Sequence, residues 1–228
     1  MSTPTNTPLV IGVAGYARAG KDTFVKVAAK ILKQLGYTTS THSFARGLKD
    51  DLDEWLKDKY GISAWTDNTE EKQLIRPFLV AHGCGKRIQT QGKYWIDKVD
   101  EQIRFLASHE YRDGNNHICF VSDVRFLNEA NWLHNSWSGW LVHLKKYKVD
   151  ITGDRIYDSA PNDEEAKNDP LVLEQADARL ELEEVIAREK ARGNIITVDD
   201  LIDNSYLNEE IRLCLAKHPA FSMLATTK

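Results

Sequence analysis

The sequence has little of what marks the specialised classes of protein. Three cysteines, Cys84, Cys119 and Cys214, are spread over 228 residues. Their number is odd and their spacing is not that of metal ligands, so neither a disulfide framework nor a cysteine-built zinc site is expected. They read as buried or partly buried thiols in a reducing cytoplasm. No apolar run approaches the ~20 residues of a membrane span, so no membrane partner is expected. The opening MSTPTNTP is polar and lacks an apolar core segment, and residues 1–7 read as a loose tail, not a signal peptide. An excess of positive charge is missing too, since the formal net charge is −4. A long nucleic acid is therefore not an expected partner, and any bound anion should be small and held by a local basic cluster.

What is present is an ordinary globular composition, 42% hydrophobic and 28% charged. The length suits a single α/β domain with an insertion. PLVIGVAG (8–15) is a short continuous apolar run ending in Gly, the pattern of a strand buried on both faces. Phe24, Val27, Ala28, Ile31 and Leu35 then recur at helical spacing, with Gly36 in the stop position. Residues 37–44 are β-branched and aromatic, as in a strand. Leu48, Leu52, Trp55 and Leu56 give a second helix closed by Gly61, and helical stripes fill roughly 66–110. HICFVSDV (117–124) and GWLVHL (139–144) read as buried strands around a short helix near 128–134. Residues 145–172 are charged and lack clean periodicity, which predicts a mobile excursion. A charged helix is expected over 173–192, a last strand at NIIT (194–197), and a capping box from Thr197 to Asp200 opening the final helix. Strands alternating with helices predict an α/β fold: a parallel sheet of about five strands covered on both faces.

The motif that carries chemistry is GYARAGKDT (15–23), which fits G-x-x-x-x-G-K-[ST] except that Asp22 stands where the hydroxyl belongs. The bare pattern arises by chance in on the order of one chain in twenty of this length. Its context is specific, because it follows a buried strand and opens a helix in the first βα turn. There, backbone N–H groups and the helix N-terminus face a phosphate. Gly15 and Gly20 permit close backbone approach, and Lys21 would reach the β- and γ-phosphates of a nucleotide. Asp22 has two readings. It could cap the first turn of the helix, or it could ligate magnesium beside the polyphosphate while Thr23 supplies a hydroxyl.

Basic residues follow at intervals. Arg46 and Lys49 stand just past the second strand, Arg76 lies among apolar neighbours, and Lys86, Arg87 and Trp95 come next. Asp123 and Arg125 close a buried strand, at the sheet edge where ligands of open α/β folds bind. Asp123 either holds magnesium through water or caps the following helix, and Trp95 either stacks a base or fills the core.

In order and spacing, GYARAGKDT, SFARGLK, QLIRPF, the stretch from Gly83 through Arg87 to YWI, and VSDVRFLNEA resemble bacteriophage-type deoxynucleoside monophosphate kinases over roughly residues 8–145. The resemblance implies a P-loop kinase fold with a helical acceptor-binding insertion (46–110) and a lid (145–172). It implies transfer of the γ-phosphate of ATP to a deoxynucleoside monophosphate, with Mg2+ as cofactor. The ATP-binding set would be Gly15, Ala17, Arg18, Gly20, Lys21, Asp22 and Thr23. The acceptor set would be Arg46, Lys49, Arg76, Arg87, Trp95, Asp123 and Arg125, and Asp22, Thr23 and Asp123 would serve the metal. Lys21, Arg18 and Arg155 would neutralise the transferred group, with Asp22 and Arg125 at the reacting centre. The expected partners are small nucleotides, and a homodimer is compatible with the sequence. A P-loop kinase of another phosphorylated metabolite, or a nucleotide-binding regulator without turnover, are the competing readings.

Overall fold

The computed structural model of the chain describes residues 7–109, 116–193, 197 and 199–225. Its strands are β1 (Leu9–Ala14), β2 (Thr38–His42), β3 (His117–Val124), β4 (Trp140–Val149), β5 (Arg155–Tyr157) and β6 (Ala178–Glu183). Its α-helices are α1 (Lys21–Gln34), α2 (Phe44–Tyr60), α3 (Thr69–Thr90), α4 (Lys93–His109), α5 (Leu127–Trp137), α6 (Asp163–Glu174), α7 (Val185–Ala191) and α8 (Ser205–Leu215). The chain divides into two compact units, one of residues 1–41 and 111–228, the other of residues 42–110.

The first unit is a mixed α/β layer structure around a mostly parallel sheet. The strands run β2-β3-β1-β4, and β6 pairs with β4. β1 pairs in parallel with β3 and with β4, and β6 is parallel to β4. β1 therefore sits inside the sheet, with the chain turning to β3 on one side and to β4 on the other. That reversal makes its carboxyl end the topological switch point, where open α/β sheets bind ligands. Ile11 and Val13 face a core shared with Phe24, Val27, Ala28 and Ile31 of α1 and with Leu207, Ile211 and Cys214 of α8. On the other face a side chain at Gly12 would meet Leu133 of α5 at 2.5 Å, so the sheet admits that helix only because the residue is glycine. Burial pushes the thiols of Cys119 and Cys214 up to about 11, which fits inert core thiols. No helix among the described residues is long and apolar enough to cross a membrane.

Two expectations are corrected here. The charged helix over 173–192 is instead the end of α6, the strand β6 and the short helix α7. In β6 Ala178, Leu180 and Leu182 are buried while Arg179 and Glu181 are exposed, a period of two and not of 3.6. The excursion over 145–172 is also ordered. β4 runs on to Val149, a turn follows in which Asp150 Oδ1 accepts from the N–H groups of Thr152 and Asp154, and β5 returns antiparallel. Tyr147 pairs with Tyr157 of β5 and also with Glu183 of β6, so these two strands lie on opposite edges of β4. β5 thus occupies the edge that β1 leaves after Ala14, beyond the carboxyl end of β1. The predicted strand at 194–197 lies outside the described residues except for Thr197. The backbone N–H and hydroxyl of Thr197 do donate to Asp200, but they open a 3-10 turn at Asp199–Asp203, and α8 starts under its own cap, Asn204.

The second unit is helical, as its periodicity predicts. Leu56, Ala64 and Ile75 form one buried cluster, joined by Leu52, Ile62, Phe78 and Leu79, and Trp95, Val99 and Ile103 of α4 are buried as well. Asp51 of α2 accepts hydrogen bonds from Lys98 and Tyr94 of α4 and pairs with His82 of α3, tying the three helices together. Burial alone would raise its pKa, but these donors hold the carboxyl below the usual range.

The strand assignment of β6 is testable by denaturant unfolding. Leu180→Ala should cost about 2–4 kcal/mol, the usual range for a buried leucine, whereas Arg179→Ala should stay within about 0.5 kcal/mol. Equal effects at the two positions would restore a helical segment.

Candidate active site

The loop between β1 and α1 is built as its sequence requires. Gly15 has φ +124°, and a Cβ there would lie 2.3 Å from the backbone oxygen of Leu144 on β4. Only glycine fits this meeting of two main chains. Gly20 (φ 93°) caps α1 in the left-handed region, and Arg18 (φ 69°) adopts the same conformation without being glycine. The N–H of Ala17 is thereby left to a carboxylate, Glu165, just ahead of the N-terminus of α1, a setting that receives anions. Lys21 is buried, and its ammonium donates to the carbonyl oxygens of Gly15 (2.7 Å) and Tyr16 (2.8 Å). Burial first, then the guanidinium of Arg125, draws its pKa down, and Glu165, Asp123 and Asp22 oppose that shift. Lys21, Asp22, Asp123 and Arg125 therefore belong to one electrostatic neighbourhood.

Arg125 leaves the end of β3 with its backbone fixed. The carboxylate of Glu129, itself buried, accepts from the N–H groups of Arg125 (2.8 Å) and Phe126 (3.1 Å) and so closes the first turn of α5. The guanidinium reaches Glu165 of α6 at 3.0 Å. The other oxygen of Glu165 accepts from the N–H of Ala17 in the loop at 2.8 Å. Reasoning from the sequence missed Glu165 altogether. The one signal available was the spacing of Glu165 and Asp169, which puts two carboxylates on one face of a helix.

Two cavities flank the loop. One, of about 150 Å³, is lined by Arg18 and Gly20 of the loop, Thr23 of α1, Leu182 of β6, and Val185 and Leu207 of the helices that follow. The other, of about 440 Å³, lies between Tyr16 and Ala19 on one side and Tyr157, Asp158 and Asp169 on the other, with Lys145 and Lys146 in its wall. Asp22 is exposed on the first turn of α1, and Thr23 is half-buried beside it. Arg155 lies in β5, paired with Glu181 at 2.9 Å and stacked 4.4 Å above the ring of Tyr147.

The remaining candidates lie in the helical unit. Arg46, in the first turn of α2, is exposed and near Asp50. Lys49 sits 4.7 Å over the ring of Trp65. Arg76 is exposed on α3, and Arg87 is half-buried near the end of that helix. Of its two readings, Trp95 matches core packing and not a base-stacking platform. It is 3% exposed, edge-on to Tyr94 and His82, and its indole N–H donates to Gly83 O, so it fills a packing position.

Magnesium in nucleotide sites is held by one or two carboxylates together with the phosphates. Among the described residues no group of three or more His, Cys, Asp or Glu side chains forms a self-sufficient metal site. Asp22, Thr23 and Asp123 fit that lighter requirement in chemical type, with Asp22 and Asp123 both acting on Lys21.

No protein-family model matches the chain, and no curated protein matches it. Among solved structures it is similar to shikimate kinase from Bacteroides thetaiotaomicron, at 14% identity and a TM-score of 0.30, over 76% of this chain and 86% of that one. A likeness at that level carries no argument about activity.

The loop geometry makes one glycine critical. Gly15→Ala should destabilise the protein by about 2–4 kcal/mol and remove nucleotide binding measured by calorimetry with MgADP. Gly85→Ala, in α3 with nothing within 4 Å of the added carbon, should be neutral or stabilise by up to about 1 kcal/mol. Normal MgADP binding by Gly15→Ala would remove the loop from the donor site.

Proposed function

We propose that this chain is an ATP-dependent kinase that transfers the γ-phosphate to a (deoxy)nucleoside monophosphate. The observation that carries the reading is the glycine-built loop at the switch point, with Lys21 buried in it and Arg125 in the same electrostatic neighbourhood. Phosphoryl transfer needs positioning and charge stabilisation more than covalent chemistry. Lys21 neutralises donor phosphate oxygens. The small apolar cavity beside Arg18 and Thr23 suits the donor base, since base sites are concave and largely apolar. Arg125 offers a planar fork to the phosphate of the acceptor. Asp22, Thr23 and Asp123 would hold magnesium, which when bound offsets the charge of the polyphosphate. An acceptor phosphate is already ionised near neutral pH, so no strong general base is required. The choice of a nucleoside monophosphate rests on the order and spacing of the motifs, with Arg46, Lys49, Arg76 and Arg87 as the further acceptor contacts. Arg155, held by Glu181 and Tyr147, would join the transferred group only by exchanging those partners.

ADP release with ATP and a panel of deoxy- and ribonucleoside monophosphates tests this directly. Turnover should appear with at least one of them and vanish in Lys21→Ala. Arg125→Ala should lower kcat/KM for the monophosphate by roughly ten- to a hundredfold, the value of a lost charge-assisted bidentate contact, and Arg125→Lys should recover only part. Turnover with a different phosphorylated metabolite alone would replace the acceptor, and no turnover with any acceptor would leave a nucleotide-binding regulator.

The role of Asp22 is separable by a magnesium titration at fixed ATP. If the carboxylate serves the ion, Asp22→Asn should raise the metal concentration for half-maximal rate, and Asp22→Ser should retain more activity than Asp22→Ala. Unchanged metal dependence in all three variants would leave Asp22 as a helix cap or an acceptor contact.

A further inference from the structure

We propose that Glu165 is a built-in competitor of the donor phosphates, an internal carboxylate seated on the anion-binding groups of the loop. The proposal rests on the phosphate-loop reading above. One carboxylate oxygen of Glu165 accepts the N–H of Ala17 at 2.8 Å, and the other accepts Nη1 of Arg125 at 3.0 Å. On the reading above, the donor phosphate needs the loop N–H and the acceptor phosphate needs Arg125. The side chain of Glu165 is 11% exposed and that of Arg125 43%, so the carboxylate is the sheltered member of the pair. A partner serving Arg125 alone would leave the loop amide free, whereas Glu165 spans both.

The helix delivers this carboxylate with little freedom. Asn162 caps α6 by accepting the backbone N–H of Glu165 itself at 2.9 Å. One turn later, on the same face, Asp169 pairs at 2.9 Å with His143, which is buried on β4. Val172 is buried beyond it. The anchored face of α6 therefore sets Glu165 over the loop. The carboxylate is close enough to raise the phenol of Tyr16, after burial and Asp169, and to support the charge on Lys21. Donor binding then exchanges one anion for another. Glu165 turns away about its own side-chain torsions, the loop N–H passes to the donor phosphate, and Arg125 is set free for the phosphate of the acceptor. A ligand gains only the difference between its contacts and those it displaces, so the intrinsic affinity of the loop is larger than the affinity the whole protein shows.

Calorimetric titration of MgADP, and separately of tripolyphosphate, into the full chain tests the exchange. Glu165→Gln should bind both ligands about tenfold more tightly than wild type, since one charge-assisted pair no longer competes. Glu164→Gln, an equal charge change on the exposed neighbour, should shift neither by more than about twofold. Glu165→Asp, one methylene shorter, should fall between, which guards against a variant that merely folds poorly. Unchanged or weaker binding by Glu165→Gln while wild type binds would overturn the competitor and leave the phosphate loop standing. Failure of wild type and variant alike to bind either ligand would overturn both.

Discussion

The first unit is organised by one contact between main chains, where the Cα of Gly15 faces the carbonyl oxygen of Leu144. β1 must leave the sheet there, while its neighbour β4 continues to Val149. The turn forced on the chain presents the Ala17 N–H to Glu165 and begins α1 under Gly20. The overrun of β4 supplies the wall opposite, with Lys145 and Lys146 lining the cavity beside Tyr16. A side chain at residue 15 would push the two strands apart at the place where every element of the site is referenced.

The parts of this unit legible in the sequence are those whose signal is local. β1, β3 and α1 follow from runs and stripes that burial enforces, and the loop follows from glycines at fixed offsets. β6 was hidden because ARLELE is half charged, and an edge-side strand with polar residues facing outward shares its composition with a surface helix. The hairpin of β4 and β5 was hidden for another reason. Its register depends on an edge vacated by β1, a fact of topology that no window of residues contains. Glu165 belongs to the same class, since it meets Ala17 across 148 positions of chain. The arginines were legible as charges, but their partners were not.

The helical unit shows the complementary limit. Its helical character was evident from periodicity, although the break between α3 and α4 was not. What periodicity could not assign was which apolar residues lie inside. Trp55, counted in the expected stripe of α2, is 42% exposed and rests edge-on to Tyr60 and Phe78, while Trp95 is buried. A stripe gives a face; only the neighbouring helices decide how much of it is covered. The carboxylate of Asp51, holding Lys98, Tyr94 and His82, links all three helices, and no periodicity marks it.

The position of β5 has a bearing on solubility. Past Ala14 the edge of β4 would present a row of unpaired N–H and C=O groups, a template for pairing with another chain. β5 covers that row, and it does so with three exposed residues, Arg155, Ile156 and Tyr157, of which the first is charged. The same short strand whose Tyr157 lines the cavity beside Tyr16 also covers the edge of β4. Trimming it to open the site would bare a β-edge, and the penalty would appear as self-association of the protein before any change in its chemistry.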